Sequence, residues 1–306
     1  MERLPFDEEA LMQKYEPDFA FAYGSGVFRQ TGYREDEESM VDLIFAVNNP
    51  KDWHQKNMLR HPDDYAPAMR RLGPGGISHL QALGPGVLYN TYVPFQGASL
   101  KYGVTSSTNL REDLVNWNSF YLAGRLQKPA RILKHDEVLE DEIETNRHYA
   151  ANAALLLLPE RFFEWQFYDT VAGLSYIGDS RNGLAEDPLK IRNMVGRNVE
   201  EFKAIYHQIL KSRHHVQMLS GIGQVTQDMN PLTRATTLYS LPSGLLNRIS
   251  RPIDFENSET VTHSVRQGIA SIVTGSTRTQ TLKDFVSSGL KKSLHHGASR
   301  LAKIWQ

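Results

Sequence analysis

Residues 19–30 read "FAFAYGSGVFRQ" and residues 40–47 read "MVDLIFAV". The first stretch is a short apolar run of strand character that empties into a Gly-Ser-Gly turn. The second is apolar apart from Asp42 and stops at the turn formers Asn48, Asn49 and Pro50. Two buried strands, one delivering small residues and the other a single carboxylate, give the first third its sheet character. The glycines have two readings: they let backbone N–H groups close on an anion, or they simply turn the chain.

Around these strands, residues 7–15 read as a helix stopped before Pro17. The stretch "LGPGGISHLQALGPGV" (72–87) reads as two Gly-Pro loops flanking a short helix. "VLYNTYVPFQGASLKYGV" (87–104) reads as two β segments joined at Pro94 to Gly97. After Ser106 the pattern turns helical. Asn109 is expected to cap a helix whose apolar positions Leu110, Leu114, Trp117 and Tyr121 recur at three or four, with Gly124 ending it. Further helices are expected over 140–158, closed by Pro159, over 161–178 and over 187–211, while 225–260 is weakly patterned. These patterns divide the chain into a sheet domain over 1–115, a helical domain over 116–225 and a C-terminal region over 226–306.

Composition narrows the chemistry. With no cysteine, disulfides, thiolate catalysis and cysteine-ligated metal centres are excluded. The formal net charge of −1 argues against a strongly basic nucleic-acid binder, and no nucleic-acid partner is expected. The longest apolar island, Ala153 to Leu158, falls far short of the roughly 20 residues of a spanning helix. The first residues are acidic, with neither a signal-peptide core nor an Arg/Ser-rich transit pattern, so either no address is present or it has been removed. The histidines show no zinc-ligand spacing, and "HPDDY" (61–65) reads as a solvated turn rather than a metal site.

A Gly-Ser-Gly turn leaving one strand, followed by a strand with one carboxylate, is the arrangement used by nucleotidyltransferases of the polymerase-β type. Small residues admit the triphosphate, and the carboxylate holds Mg²⁺ beside it. Gly24, Ser25 and Asp42 take those roles, with Tyr23 and Gly26 adjoining. That superfamily usually carries a second acid two positions on, on the same strand face. Here that position is Ile44. A second metal ligand must then come from elsewhere, and Asp113 or Glu112 is the expectation, against the alternative of an exposed acid in a helix's first turn.

"YGSGVFRQTGY", "MVDLIFAV", "LKYGV", "NWNSFYLAGRLQKP" and "LSYIGDSR", in this order, resemble the mitochondrial translocator assembly and maintenance family, which are phosphatidate cytidylyltransferases. The similarity runs from about residue 20 to residue 200 and continues loosely through "LPSGLL" and a basic C-terminus. Ile44 is normal within that family. The resemblance implies an α+β fold: a nucleotidyltransferase-like mixed sheet with flanking helices, then a mainly helical domain and a basic amphipathic C-terminal segment.

It further implies CMP transfer from CTP to phosphatidic acid, giving CDP-diacylglycerol and pyrophosphate with Mg²⁺. Gly24, Ser25 and Gly26 would cradle the β and γ phosphates, and Asp42 would hold the metal. Lys101 would join Asp42 if their strands are neighbours, and is otherwise a surface lysine. Arg125 and Lys128, just past a helix end, bind phosphate or complement the helix dipole. Arg181 would grip the lipid phosphate with Asp179 orienting it, or the two form a local salt bridge. The implied location is the matrix side of the mitochondrial inner membrane. Other readings are a nucleotidyltransferase acting on protein or RNA, and a non-catalytic assembly factor for protein import.

A membrane-bound substrate needs a docking device. From Leu282, apolar residues recur every three or four positions among Lys291, His295, Arg300 and Lys303, so residues 281–306 read as a basic amphipathic helix suited to an anionic membrane surface. The alternative is a terminal helix packed on the protein's own core.

Overall fold

The strand patterns of the first third close into one mixed sheet. In the computed structural model, β1 (Phe19–Tyr23), β2 (Val41–Val47), β3 (Leu88–Phe95), β4 (Ala98–Ser106) and β5 (Arg131–Lys134) lie in the order β3-β4-β2-β1-β5. The structure describes residues 4–24, 27, 40–179, 190–219 and 223–304, with side chains through Lys283 except at Lys190. β2 and β4 run parallel, and the other neighbours are antiparallel. β3 and β4 form the expected hairpin across Gln96 and Gly97, both at positive φ (47° and 82°), the geometry that matches strand twist.

β2 is central and, apart from Asp42, fully buried. One sheet face carries Leu43, Phe45, Leu100, Tyr102 and Val104 into a core shared with Leu11 and Tyr15 of α1 (Glu8–Tyr15) and Trp53 of α2 (Pro50–Arg60). The opposite face carries Phe21, Ile44 and Gly103 in one register row and Tyr23, Asp42 and Lys101 in the next.

Two local expectations change. α3 (Pro67–Ala82) absorbs the first Gly-Pro pair as a kink at Gly73 (φ 69°, ψ 170°), because Pro74 is tolerated in the first turn of the segment that follows. "HPDDY" is only half solvated: Asp63 is exposed, but Asp64 is buried and accepts from the hydroxyls of Tyr15 (3.0 Å) and Tyr102 (2.7 Å). Asn57 donates to Tyr65 and Tyr102 at 3.0 Å each, and His54 sits between Tyr65 (2.9 Å) and Gln81 (2.8 Å). Every donor in this buried cluster meets an acceptor, which is how a carboxylate and an imidazole are tolerated inside.

Contacts divide the chain into two units that are discontinuous in sequence: 1–111 with 130–140 and 276–306, and 112–129 with 141–275. Chain order hides this interleaving. β5 returns to the edge of the sheet beside β1, where the Arg131 guanidinium donates to Glu8 and the Lys134 ammonium to the Pro17 carbonyl. α12 (Ser258–Ile304) begins in the second unit and ends in the first. In the first unit, Lys283 is 2% exposed and its Nζ donates to the carbonyls of Gln81 (3.2 Å) and Leu83 (2.6 Å), capping the C-terminal end of α3.

The second unit contains α5 (Ala123–Leu126), most of α6 (Glu137–Leu157), α7 (Glu164–Gly173), α8 (Lys190–Arg197), α9 (Val199–Lys211), α10 (Pro231–Tyr239) and α11 (Ser243–Leu246). It also has a small antiparallel sheet, in the order β6-β8-β7, from β6 (Arg161–Phe163), β7 (Val216–Leu219) and β8 (Gln224–Gln227). These strands of three or four residues are too short to show a period of two, so the helical expectation over 161–178 begins three residues early. Among the described residues no helix is long and apolar enough to cross a membrane.

Candidate active site

β1 is followed by Gly24, whose φ of +81° lies in the left-handed region that side chains rarely adopt. A Cβ placed there would stand 3.6 Å from Asp42 Oδ2, so the turn passes directly over the carboxylate. Val27 N donates to Gly24 O at 3.1 Å and brings the chain back. Ser25 and Gly26 lie outside the described residues. The pairing Tyr23↔Asp42 and Asp42↔Lys101 sets three side chains side by side on one face, and Lys101 Nζ is 3.2 Å from Asp42 Oδ1. Parallel pairing of β2 with β4 thus supplies the neighbourhood that the lysine needed.

Tyr89, the register partner of Gly103 in the adjoining row, reaches over to Lys101 and was not legible in "VLYNTY". Its ring lies 4.5 Å from Lys101 Nζ, and its hydroxyl is 3.1 Å from that of Tyr23. Gly103 makes this possible, because a Cβ there would meet Tyr89 Cε1 at 2.7 Å and Ile44 Cδ1 at 2.8 Å. Ile44 is fully buried against that glycine. A carboxylate at this position would be desolvated under an aromatic ring, so the departure from a two-acid strand follows from packing.

Asp113 is corrected. It is 2% exposed, and its two oxygens accept from five donors. Oδ1 takes Ser119 N (2.8 Å), Ser119 Oγ (2.9 Å) and Phe120 N (2.8 Å), and Oδ2 takes Leu122 N (2.8 Å) and Ala123 N (3.0 Å). No lone pair remains for a metal. The carboxylate instead folds the loop after α4 (Ser107–Asn116), which ends that helix before Trp117 rather than at Gly124. Asn109 is not its cap: its amide donates to Pro85 O, while Ser106 Oγ accepts from Asn109 N. Glu112 is exposed.

In the second unit, the "AGRLQKP" and "LSYIGDSR" segments meet. Gly124 packs on Ser175, and Lys128 Nζ donates to Ser175 Oγ (2.6 Å) and Ala172 O (3.4 Å) while lying 4.6 Å from the Tyr176 ring centroid. Lys128 therefore caps the end of α7. The Arg125 guanidinium stacks 3.8 Å from the Tyr121 ring centroid and donates to the Tyr121 carbonyl. Asp179 is buried at the end of the same turn, and Arg181 lies outside the described residues.

A protein architecture of one carboxylate under a glycine turn can now be compared with known proteins. The sequence model of the family described as "Phosphatidate cytidylyltransferase, mitochondrial" matches residues 9–303. The chain belongs to this family. A Bos taurus protein of that name is 38% identical over 95% of this chain and 91% of its own length. One from Danio rerio is 37% identical over 97% and 94%, and one from Schizosaccharomyces pombe is 42% identical over 70% and 54%.

In this mitochondrial phosphatidate cytidylyltransferase family member, the donor set suits Mg²⁺. That ion commonly uses one or two carboxylates and takes its remaining ligands from phosphates and water. Asp42 Oδ1 is paired with Lys101, while Oδ2 faces the Gly24 turn with no partner among the described residues.

Proposed function

We infer that the chain transfers CMP from CTP to phosphatidic acid, giving CDP-diacylglycerol and pyrophosphate at a membrane surface. The observation that carries this reading is the Asp42–Lys101 pair beneath the Gly24 turn. A phosphate oxygen of phosphatidic acid attacks the α-phosphorus of CTP, the bond to the α–β bridging oxygen breaks, and pyrophosphate leaves with the electron pair. The attacking phosphomonoester is already anionic near neutral pH, with a second pKa of about 6, so no strong base is needed. Positioning and charge neutralisation dominate.

On this reading Gly24, with Ser25 and Gly26, holds the β and γ phosphates, and Tyr23 flanks them. Asp42 would hold Mg²⁺, which would offset the negative charge of the phosphates. Lys101 is the chain's own cation there, kept from swinging away by Asp42 and the Tyr89 ring. Arg125 and Lys128, with Asp179 and Arg181, serve the lipid phosphate. Residues 281–306 dock the enzyme on the anionic membrane, on the matrix side of the mitochondrial inner membrane.

Incubation with α-labelled CTP, Mg²⁺ and phosphatidate vesicles tests this. Labelled CDP-diacylglycerol should form with the wild-type chain and fall to background with Asp42→Asn. Equal product from that variant would remove Asp42 from the site; label appearing only in protein or RNA would replace the lipid acceptor.

A further inference from the structure

A cleft of about 470 Å³ opens in the second unit between α9 and β7, one of the two edge strands of the small sheet. Lys203, His207 and Lys211 form one wall, and Val216, Met218 and Leu219 the other. The three basic residues fall four apart on α9 and so share one helix face. Glu164, the acid of the lining, is already engaged by His207 Nδ1 at 3.2 Å and the Tyr168 hydroxyl at 3.4 Å. Lys203 and Lys211 are exposed and have no hydrogen-bond or ion-pair partner among the described residues.

Exposed apolar side chains occur in the same unit: Leu219 of the lining is 49% exposed, Phe163 44% and Trp165 45%. Phe163 and Leu219 each pair with Gln224, one on either side, and therefore share a face at one end of the sheet. Trp165 follows Glu164 on α7, and the Arg192 guanidinium lies 5.8 Å from its ring centroid. An exposed aliphatic side chain in a cleft with unpartnered lysines, and exposed aromatic side chains in the same unit, match a bilayer interface, where rings sit at headgroup level and lysines meet anionic phosphate.

We propose that this cleft takes the phosphate headgroup of an anionic phospholipid in a bilayer, with Phe163, Trp165 and Leu219 entering the interface. None of these residues belongs to the Asp42 row. The choice of lipid as occupant rests on the membrane-surface reading above.

Co-sedimentation of the full chain with phosphatidylcholine vesicles, with and without phosphatidic acid, tests the site. At about 1 kcal/mol per lysine, Lys203→Gln/Lys211→Gln should weaken partitioning to phosphatidate vesicles about thirtyfold, and Lys203→Gln alone about fivefold. Binding to phosphatidylcholine alone should barely change. Wild-type partitioning by the double variant would overturn the proposal and leave the whole affinity to residues 281–306. Inorganic phosphate binding that the double variant loses, with vesicle binding unchanged, would assign the cleft to a free phosphate instead. CMP transfer by the wild-type chain is a separate readout: its failure with vesicle binding intact would remove the catalytic reading and keep the docking site.

Discussion

Lys101 Nζ lies 3.2 Å from Asp42 Oδ1, and the two residues are direct register partners on the parallel strands β4 and β2. The pair is anchored by backbone pairing rather than by side-chain reach. An ammonium placed this way adds charge to a phosphate site without costly ordering on binding. Lys101→Met should lower CMP transfer about a hundredfold or more, within the range for loss of one charge-stabilising donor. Steady-state rates at saturating CTP check this, and a change confined to KM would reassign Lys101 to ground-state binding.

Gly103 is the floor on which Tyr89 rests. Gly103→Ala sets a methyl 2.7 Å from Tyr89 Cε1 and 2.8 Å from both Ile44 Cδ1 and Val87 Cγ1. Overpacking of this kind costs about 1–3 kcal/mol and should displace the ring from Lys101. A lowered thermal midpoint accompanied by lost activity is expected, and full activity would show that Tyr89 does not position the lysine.

Asp113 holds a loop in which Trp117 and Phe120 have positive φ (55° and 57°), each costing of order 1–3 kcal/mol. Asp113→Asn replaces one oxygen by an amide that faces backbone donors. A loss of about 3 kcal/mol or more in denaturant unfolding is expected, since hydrogen bonds to a charged group are each worth about 1.5–3 kcal/mol. The Mg²⁺ concentration for half-maximal activity should not move; a tenfold rise would restore Asp113 as a ligand.

Truncations of α12 should behave differently on either side of Lys283. Removing residues 285–306 leaves the contacts of Lys283 and Thr279 with the end of α3, so the thermal midpoint should hold while vesicle binding falls. Removing everything from Ser276 exposes the α3 carbonyls and should lower the midpoint by several degrees. If the shorter truncation keeps full vesicle binding, the C-terminal segment is not the docking device.

Burial holds His54 down at about 4, against its usual 6.5. Above pH 6.5 both folded and unfolded chains are neutral at this position. As pH falls from 6.5 to about 4, the unfolded chain takes up a proton that the folded chain refuses, and stability drops by about 1.4 kcal/mol per unit. Urea midpoints across that window should fall more steeply for the wild type than for His54→Gln. Parallel curves would mean that His54 is charged in the fold.

The strands of the first unit were legible because an apolar run ended by turn formers has few other solutions. "FAFAY" and "MVDLIFAV" announce β1 and β2, and Gly97 announces the hairpin. The small sheet was not legible, because "RFF" and "QVTQ" are too short to carry a period and become strands only by pairing with each other. Asp113 misled for a related reason. Its five donors sit six to ten residues later in a loop whose path no local pattern encodes.

By itself the sequence determined that a glycine turn leaves a buried strand, that Asp42 is the carboxylate in the strand that follows, and that the ordered motifs resemble one family. Those features are local, and backbone sterics and hydrophobic periodicity act over a few residues. Tertiary structure alone decided that Lys101 stands beside Asp42, that Tyr89 and Ile44 share the space above Gly103, and that Asp113 is consumed in a loop. Each of these depends on which strands become neighbours and in what register, and register is settled by the packing of the whole sheet at once.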